Sequence, residues 1–401
     1  MIRRIAAGGV ATAVVVALGL TGPSATPAGA APPAGGAAPT ASGAAQYTVV
    51  AREGVGTAEA LAAIAAAGGT VVSSVADVGV FQVTAVGGDF AARAAAAPAL
   101  VGAAPDRVIG RAPRQKPDVV ERAPAGSAAA PAGGGGHRRG VGMDPLDDKL
   151  WGLRMVRSDQ ARGREPGRRG VTVGVLDTGL DASNPDLAAN FSRRLSRNFA
   201  PDIEAIDGPC EVAGCLDPVG TDDGGHGTHV AGTIGAAANG VGLSGVAPRV
   251  TLAGIKVGQD SGYFFLGPVV KGLVYAANAG IDVVNMSFYI DPWLYNCRAN
   301  PADPPAAQAE QRVTIAAVNR ALRYAHRRGV TLVAALGNNH EDLGNPRTDT
   351  SSPNYGEVQP YPRPIDNATC WTLPAEGAHV IGVSSLGPSG RKSDFSNYGT
   401  E

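Results

Sequence analysis

Residues 222–233 read DDGGHGTHVAGT, and this stretch decides how the rest of the chain is interpreted. His226 lies between Gly225 and Gly227, at the point where a loop gives way to small helix-forming residues. The glycines leave open space on both sides of the imidazole. A general base needs such space, because another side chain and a substrate must both approach it. The pattern predicts a helix over 226–238 that begins at a chemically active histidine.

A second stretch, VTVGVLDTGLD (171–181), places Asp177 at the end of an apolar run, immediately before a turn. A carboxylate there can accept a hydrogen bond from an imidazole N–H, fix its tautomer and stabilise the imidazolium. The alternative is an aspartate that only starts the turn before Gly179, although Asp181 is the better candidate for a structural carboxylate. Asp177 and His226 together predict an acid–base pair that still needs a nucleophile.

The N-terminus indicates an exported protein. Arg3 and Arg4 precede an apolar run at 10–20, and a small-residue cleavage pattern, Ala-Gly-Ala, ends at residue 30. This layout predicts a secretory signal peptide over 1–30 and a secreted mature protein. No other run approaches the roughly 20 apolar residues of a membrane helix. The net charge of −1 gives no indication of a nucleic-acid partner or an anionic surface.

Composition divides the remaining chain into four segments. A low-complexity spacer (31–45) precedes a compact unit (46–110), and a linker (111–142) separates that unit from a large domain (143–401). We expect the linker to be disordered, because it cannot bury enough apolar surface. Within the compact unit the predicted order is βαββαβ, typical of a small ferredoxin-like α+β fold. Its predicted elements are strands at 46–52, 70–75, 78–86 and 106–110 and helices at 57–68 and 89–100.

Five apolar runs in the large domain predict strands of a parallel sheet. They lie at 171–176, 250–257, 281–288, 330–336 and 379–385. They lack polar alternation, as do strands that are buried on both faces. Helical patterns separate them, at 226–238, 268–279 and 307–328. The sequence therefore predicts an α/β fold, a mostly parallel central sheet with helices on both faces. Chemistry collects at the carboxyl ends of such strands, where Asp177, Ser287 and Asn338 fall.

Four cysteines fit an oxidising compartment. We prefer the disulfides Cys210–Cys215 and Cys297–Cys370, because the first two cysteines are already neighbours in the sequence. The other two connectivities stay open. A zinc site is the rival interpretation, but the spacings match no zinc pattern.

Five motifs occur in order between residues 171 and 339: VTVGVLDTGLD, DDGGHGTHVAGT, GVGLSGVAP, VVNMSF and LVAALGNN. They resemble the successive motifs of subtilisin-like serine proteases, over roughly 144–401. The resemblance implies a secreted endopeptidase precursor that hydrolyses peptide bonds of polypeptide substrates through an Asp-His-Ser triad, with Asp177 and His226 as its aspartate and histidine. The unit at 46–110 resembles the family's propeptide, which implies an intramolecular chaperone and inhibitor. We expect a monomer without an organic cofactor, without a nucleic-acid partner and, after signal removal, without a membrane partner.

The resemblance also implies a substrate cleft. Asn338 matches the oxyanion-hole asparagine, whose amide donates to the developing alkoxide. An asparagine in a plain loop after a strand is the alternative. Ser287 and Phe288 match the substrate-binding edge strand, but Tyr289 and Ile290 replace the two glycines that usually follow in the family. We therefore expect an altered or narrowed cleft.

The sequence suggests two candidate metal sites, one at a histidine pair and one for calcium. The two histidines of DDGGHGTHVAGT form an H-x-x-H pair, but no matching carboxylate motif accompanies it, and the family pattern implies that the second, His229, faces the helix interior. A calcium site is implied by Asp186 and Asn239, with oxygen ligands that suit a hard cation. A plain glycine-rich loop is the alternative. The main-chain oxygens of the implied calcium site come from Ala237, Val241 and Leu243.

The nucleophile is the missing part of the pattern. The family's serine lies in a Gly-Thr-Ser-x-Ala motif that opens a buried helix, and no serine among these 401 residues has that context. Gly399 and Thr400 are followed by Glu401. We therefore expect a fragment or an early stop, inactive alone and poorly folded because a missing helix uncovers core surface. The alternative is a secreted non-catalytic binding protein on a protease scaffold, and the coding DNA beyond codon 401 discriminates between the two.

Overall fold

The computed structural model describes residues 44–106, 144–345, 348–354 and 358–399. The predicted signal peptide and the predicted linker lie outside the described residues. The predicted spacer ends earlier than expected, because the first strand begins at Ala44. Within the described ranges, no helix is both long and apolar enough to cross a membrane.

The N-terminal unit is an antiparallel four-stranded sheet with two helices, in the element order βαββαβ that the sequence predicts. Its elements are β1 (Ala44–Ala51), α1 (Thr57–Ala66), β2 (Gly69–Val75), β3 (Val80–Val86), α2 (Phe90–Ala96) and β4 (Leu100–Pro105). The strands lie side by side in the order β2-β3-β1-β4. Apolar side chains of the sheet and both helices, among them Val49, Ile64, Phe81 and Phe90, form a core of their own.

The end of this unit differs from the prediction. The sequence predicts a helix through residue 100 and a strand at 106–110, but α2 ends at Ala96 and β4 begins at Leu100. A proline disfavours the helical conformation of the residue before it, and Ala97, which precedes Pro98, is extended with ψ 123°. The chain therefore leaves the helix early and forms its last strand sooner. Residues 107–110 lie outside the described part.

The large domain is built on a six-stranded sheet in which all neighbouring strands are parallel. Its strands are β5 (Thr172–Asp177), β6 (Arg197–Asn198), β7 (Thr251–Lys256), β8 (Val283–Met286), β10 (Thr331–Ala335) and β14 (Val380–Val383). They lie in the order β14-β10-β8-β5-β7-β6. The predicted parallel central sheet is confirmed. Strand β6 was not predicted, because two residues carry no recognisable pattern.

Helices lie on both faces of this sheet, as predicted. The helices of the domain are α3 (Trp151–Met155), α4 (Ser158–Ala161), α5 (Glu204–Asp207), α6 (His226–Gly235), α7 (Leu266–Asn278) and α8 (Pro305–Arg327). The last three correspond to the three predicted helices. Two pairs of short strands brace the loops: β9 (Asn296–Cys297) with β13 (Cys370–Trp371), and β11 (Thr348–Asp349) with β12 (Arg363–Pro364).

The two faces of the sheet are covered unequally. One face packs against α7 and α8 through side chains such as Leu176, Val284 and Leu332. On the other face, α6 lies against β5 and β7, but Ile381 and Val383 of β14 are 55% and 50% exposed. The expectation that all five predicted strands are buried on both faces is therefore wrong for β14. No described helix shields these two side chains.

The N-terminal unit packs on the helical face of the large domain. Val50, Val78 and Val80 of that unit belong to the same apolar core as α7 and α8. Arg320 of α8 also donates a 2.5 Å hydrogen bond to the carbonyl oxygen of Ala51. The two units therefore share one continuous hydrophobic core.

Two disulfides fix loops of the large domain, in the pairing that we preferred from the sequence. Cys210 and Cys215 close a short loop. Cys297 and Cys370 join β9 to β13, where they face each other across the strand pair. The first bridge lies in the segment between β6 and α6, and the second joins a short strand that follows β8 to one that follows β10.

Candidate active site

Asp177 and His226 meet at the carboxyl end of the parallel sheet. Asp177 is the last residue of β5 and is completely buried, whereas His226 is the first residue of α6 and its side chain is 51% exposed. His226 Nδ1 lies 2.7 Å from Asp177 Oδ1. The same oxygen accepts a 2.8 Å hydrogen bond from the amide of Thr178. The aspartate therefore engages one ring nitrogen and leaves Nε2 for proton exchange.

Glycines allow the helix to start directly against the strand end. A Cβ at Gly227 would lie 2.1 Å from the carbonyl oxygen of Gly179 and 2.9 Å from Asp177 Cβ. Gly225, which precedes the helix, has φ +73°, a conformation that residues with a side chain rarely adopt. The open space that the sequence suggests beside His226 is therefore used for close backbone packing at Gly227, whereas a Cβ at Gly225 would meet nothing within 4 Å.

Asp222, from the same motif, organises the loop that carries the histidine. Its Oδ1 accepts hydrogen bonds from Thr178 Oγ1 (2.7 Å) and Gly225 N (3.0 Å). Its Oδ2 accepts from Thr228 N (2.8 Å) and Thr228 Oγ1 (2.5 Å). Thr178 Oγ1 in turn accepts from Gly227 N (3.1 Å). Asp222 thus ties the strand end to the helix start, a role that the sequence reasoning missed although the residue opens the decisive motif.

The surroundings of His226 favour its charged form. The hydrogen bond to Asp177 raises the pKa of the imidazole, burial lowers it, and the charges of Asp177 and Asp222 raise it. The net effect is a pKa above the ordinary value of 6.5. A base whose protonated form is stabilised by a fixed carboxylate is well suited to accept a proton from a hydroxyl.

Acidic side chains and one lysine lie beside the same loop. Lys256, the buried last residue of β7, donates to Thr178 O (2.9 Å) and pairs with Asp260 and Asp217. Burial acts to lower the pKa of Lys256, but the hydrogen bond to Asp260 and the nearby carboxylates give a net rise. Burial, together with the charges of Asp217 and Asp260, raises the pKa of Asp202 to about 6. This side of the loop therefore carries several carboxylates against one lysine.

Asn338 and Ser287 lie together in a cleft of about 380 Å³ at the carboxyl ends of β8, β10 and β14. Asn338 follows β10 and is exposed, so its amide is accessible to a ligand. Ser287 Oγ accepts a 2.9 Å hydrogen bond from Asn285 Nδ2. Within the described ranges no hydrogen bond joins Asn338 or Ser287 to Asp177 or His226. The predicted site residues thus form two separate pairs.

A buried asparagine holds the loop of Asn338. Asn397 Oδ1 accepts hydrogen bonds from the amides of Asn339 (2.8 Å) and Glu341 (3.0 Å), and its Nδ2 donates to Leu336 O (2.9 Å). Asn397 is a positioning residue that sequence reasoning did not single out. Its position in the polar segment SDFSNYGTE (393–401) carries no recognisable sequence signal for this role.

The side chains that follow Ser287 pack inside the protein. Phe288 is buried and stacks on Phe264, with ring centroids 4.2 Å apart. Ile290 is buried as well, and Tyr289 packs against a small apolar cluster that includes Leu294. The ring of Phe288 is therefore part of the core and is not accessible to a ligand. The narrowed cleft stays a prediction.

The expectation for His229 is wrong. His229 is exposed, whereas the buried residues of α6 are Gly227, Ala231 and Gly235. Those three positions are spaced by four and form one helical stripe, and position 229 lies on the opposite side of the helix. The second histidine of the motif therefore faces away from the core.

The residues of the predicted calcium site lie together. Asp186 Oδ2 accepts a hydrogen bond from Leu243 N (3.0 Å), and Asp186 O accepts one from Ala237 N (2.7 Å). Asn239 is adjacent, because its Nδ2 donates to Pro185 O (2.9 Å). The remaining oxygen, Asp186 Oδ1, is buried and has no hydrogen-bond partner among the described residues. An orphaned carboxylate oxygen beside a loop rich in carbonyls fits a hard cation.

The arrangement supports proton transfer beside an exposed amide donor. His226, held by Asp177, can take a proton from a hydroxyl and return it to a leaving group. Asn338 presents a hydrogen-bond donor at the end of a nearby strand, where it can stabilise a developing negative charge. These functions belong to acyl-transfer chemistry.

Comparison with known proteins gives a family match over most of the large domain. The model of the subtilase family, peptidase S8, matches residues 168–401. Subtilisin Savinase from Lederbergia lenta is 31% identical over 249 residues, which are 62% of this chain and 68% of that protein. An alkaline protease from Alkalihalobacillus alcalophilus is also 31% identical over 249 residues, but the match spans only 48% of its length.

A solved structure agrees with the fold. The epidermin leader peptide processing serine protease from Staphylococcus aureus superimposes with a TM-score of 0.61. The match covers 88% of this chain and 72% of that protein, at 22% sequence identity. At this identity the likeness concerns the fold alone.

Proposed function

The chain belongs to the subtilase family, and we propose that it contributes the aspartate–histidine pair and the oxyanion donor of a secreted serine endopeptidase precursor. The observation that carries the proposal is the 2.7 Å contact between His226 Nδ1 and the completely buried Asp177. A buried carboxylate bound to a half-exposed imidazole is the arrangement that general-base catalysis requires.

Each residue has a distinct role in the proposed reaction. His226 takes the proton of a serine hydroxyl as that oxygen attacks the substrate carbonyl, and later gives it to the leaving amine. Asp177 holds the ring tautomer and stabilises the imidazolium. The amide of Asn338 donates to the carbonyl oxygen as it becomes negative, an effect worth about 10²–10³ in kcat. The strand edge at Ser287 and Phe288 binds the substrate backbone.

The nucleophile is proposed to come from a segment outside these 401 residues, because no Gly-Thr-Ser-x-Ala motif occurs among them. The chain alone is therefore proposed to be inactive. The exposure of Ile381 and Val383 supports the proposal of a further segment, since exposed apolar patches often mark a surface that another segment or molecule covers.

The N-terminal unit is proposed to act as a propeptide and inhibitor. Its supporting feature is the core that it shares with α7 and α8. Secretion is proposed from the signal-like N-terminus and agrees with two disulfides. Calcium at Asp186 and Asn239 is proposed from the orphaned Asp186 Oδ1. Such an ion would stabilise the loop at 237–243 and takes no part in the chemistry.

The coding DNA downstream of codon 401 provides the experimental test. If it encodes a Gly-Thr-Ser-x-Ala motif in frame, the longer protein should release peptides from casein. His226→Ala should then abolish that activity and Asp177→Asn should reduce it by about 10⁴-fold. His229→Ala is the matched control, because that exposed histidine lies outside the proposed machinery. A stop codon directly after Glu401, or cleavage that survives His226→Ala, would instead favour a non-catalytic binding protein or another mechanism.

A further inference from the structure

Three carboxylates converge beside the catalytic loop without taking part in the proposed chemistry. Ligand oxygens of Asp202, Glu211 and Asp217 all lie within 4.8 Å of one another. Glu211 lies in the short loop closed by Cys210–Cys215, so the disulfide restricts its backbone. Both cysteines are engaged in that bridge, and this leaves an all-oxygen set of side-chain ligands.

Asp202 is the observation that separates this group from an ordinary acidic surface. It is only 7% exposed, yet neither carboxylate oxygen has a hydrogen-bond donor or an ion-pair partner among the described residues. Asp217 is 4% exposed, and its Oδ2 accepts no hydrogen bond, although Lys256 Nζ lies 3.4 Å away. A buried carboxylate without a partner is strongly unfavourable. Asp202 therefore lacks a paired positive charge among the described residues.

A second group of three carboxylates, which shares Asp217 with the first, has a lysine beside it. Asp217, Asp223 and Asp260 also bring ligand oxygens within 4.8 Å of one another. There Lys256 pairs with Asp260 and lies 3.4 Å from Asp217 Oδ2. The ammonium group of Lys256 thus partly neutralises Asp217 and Asp260. No described basic side chain pairs with Asp202 or Glu211.

We propose that Asp202, Glu211 and Asp217 bind a calcium ion. Calcium takes six to eight oxygen ligands and tolerates irregular geometry, which suits two buried carboxylates and one exposed carboxylate completed by main-chain oxygens or water. The site shares no residue with the proposed site at Asp186. It also goes beyond the proposed peptidase function, because it involves no catalytic residue.

A calcium ion at this position would stabilise the residues that hold the start of α6, where His226 lies. Asp217 contacts Lys256, and Lys256 Nζ donates to Thr178 O at 2.9 Å. Thr178 in turn binds Asp222 and the amide of Gly227 at the start of α6. The ion would thus act as a structural brace, through a chain of contacts that ends beside the histidine.

Calorimetric titration of the EDTA-treated 401-residue chain with CaCl₂ tests this site. Glu211→Gln should remove one equivalent of bound calcium, or weaken it by about tenfold or more, because the number of ligand charges sets affinity. Asp202→Asn should do the same. Glu59→Gln, at an exposed glutamate on α1, is the matched control and should bind like the wild type.

The same titration in an Asp186→Asn background distinguishes the two calcium sites. One equivalent should remain in that variant and disappear when Glu211→Gln is added. Unchanged stoichiometry and affinity in Glu211→Gln would overturn the proposal, and this exposed side chain can be replaced without threatening the fold. An equal loss in Glu59→Gln would also overturn it, because binding would then be nonspecific. Neither result bears on Asp177 and His226.

Discussion

The corner formed by Asp177 and His226 and the cleft that contains Asn338 lie at the same edge of the sheet, but they differ in completeness. In the corner, strand β5 is buried on both faces, and Asp222 and Thr178 satisfy the backbone amides at the helix start. In the cleft, Asn338 is exposed and the neighbouring strand β14 presents Ile381 and Val383 to solvent. The corner is assembled by the described residues alone, whereas the cleft is open on one side.

A single row of paired residues runs across the sheet between the two regions. Val175 on β5 pairs with Asn285, Asn285 with Val333 through β8 and β10, and Val333 with Ile381 on β14. Val175 is fully buried and Ile381 is mostly exposed. The same sheet face therefore changes from core to surface over four strands. Whether the cleft of Asn338 is closed on this side depends on what covers the exposed part of that face.

The largest expected effect concerns activity. The 401-residue chain should hydrolyse casein no faster than buffer, because loss of the nucleophile of a catalytic triad reduces kcat by about 10⁶-fold. Release of acid-soluble peptides measures this, with an active subtilisin as the positive control for the substrate. Robust cleavage that His226→Ala abolishes would show that the 401-residue chain already contains a nucleophile.

The next effect tests the close packing of the corner. Gly227→Ala should destabilise the fold by about 3 kcal/mol or more, because its Cβ would meet the Gly179 carbonyl oxygen at 2.1 Å. Gly232→Ala is the matched control in the same helix, where a Cβ meets nothing within 4 Å. It should stabilise the helix by about 0.5–1 kcal/mol. Equal free energies of unfolding for the two variants in urea titrations would contradict the packing described for the corner.

A pair of valines compares the two regions directly. Val175→Thr, in the buried part of the sheet face, should cost about 1–3 kcal/mol, because it places a hydroxyl among apolar side chains. Val383→Thr, on the exposed part of the same face, should change stability by less than about 0.5 kcal/mol. Thermal unfolding of both variants measures the difference. A large cost at Val383 would mean that the face is covered in solution.

Much of the corner could be predicted from sequence, because its chemistry is concentrated in two local motifs. Asp177 at a strand end and His226 at a helix start follow from apolar runs and glycines. The buried strand β5 follows from an uninterrupted apolar run, and the helix α8 follows from a helical apolar stripe. The role of Asp222 in joining the strand end to the helix start could not be recognised, because it depends on a hydrogen bond from Thr178, which is distant in the chain.

The remaining features depend on tertiary packing. The exposure of β14 cannot be read from its sequence, since an apolar run looks the same with or without a covering helix. The sequence also does not show that Asp202 lacks a hydrogen-bond partner, or that the fold places Glu211 and Asp217 beside it. The early end of α2 could have been predicted from Pro98 by giving more weight to its effect on the residue before it.

The most direct test of the central claim is the NMR titration of the His226 imidazole in the wild type and in Asp177→Asn. Loss of the His226 signal in His226→Gln assigns the resonance. The wild type should show a pKa above 6.5, and Asp177→Asn should lower it, because the variant removes both the charge and the strong acceptor.

The same measurement fixes the sign of the stability effect. Since the folded-state pKa of His226 is raised, its stabilising contribution is complete below the unfolded value of 6.5 and is lost as the pH rises through the folded pKa. The stability advantage of the wild type over Asp177→Asn should therefore include a part that shrinks over that pH range. An identical imidazole pKa in both proteins would contradict the claim that Asp177 and His226 form a preorganised acid–base pair.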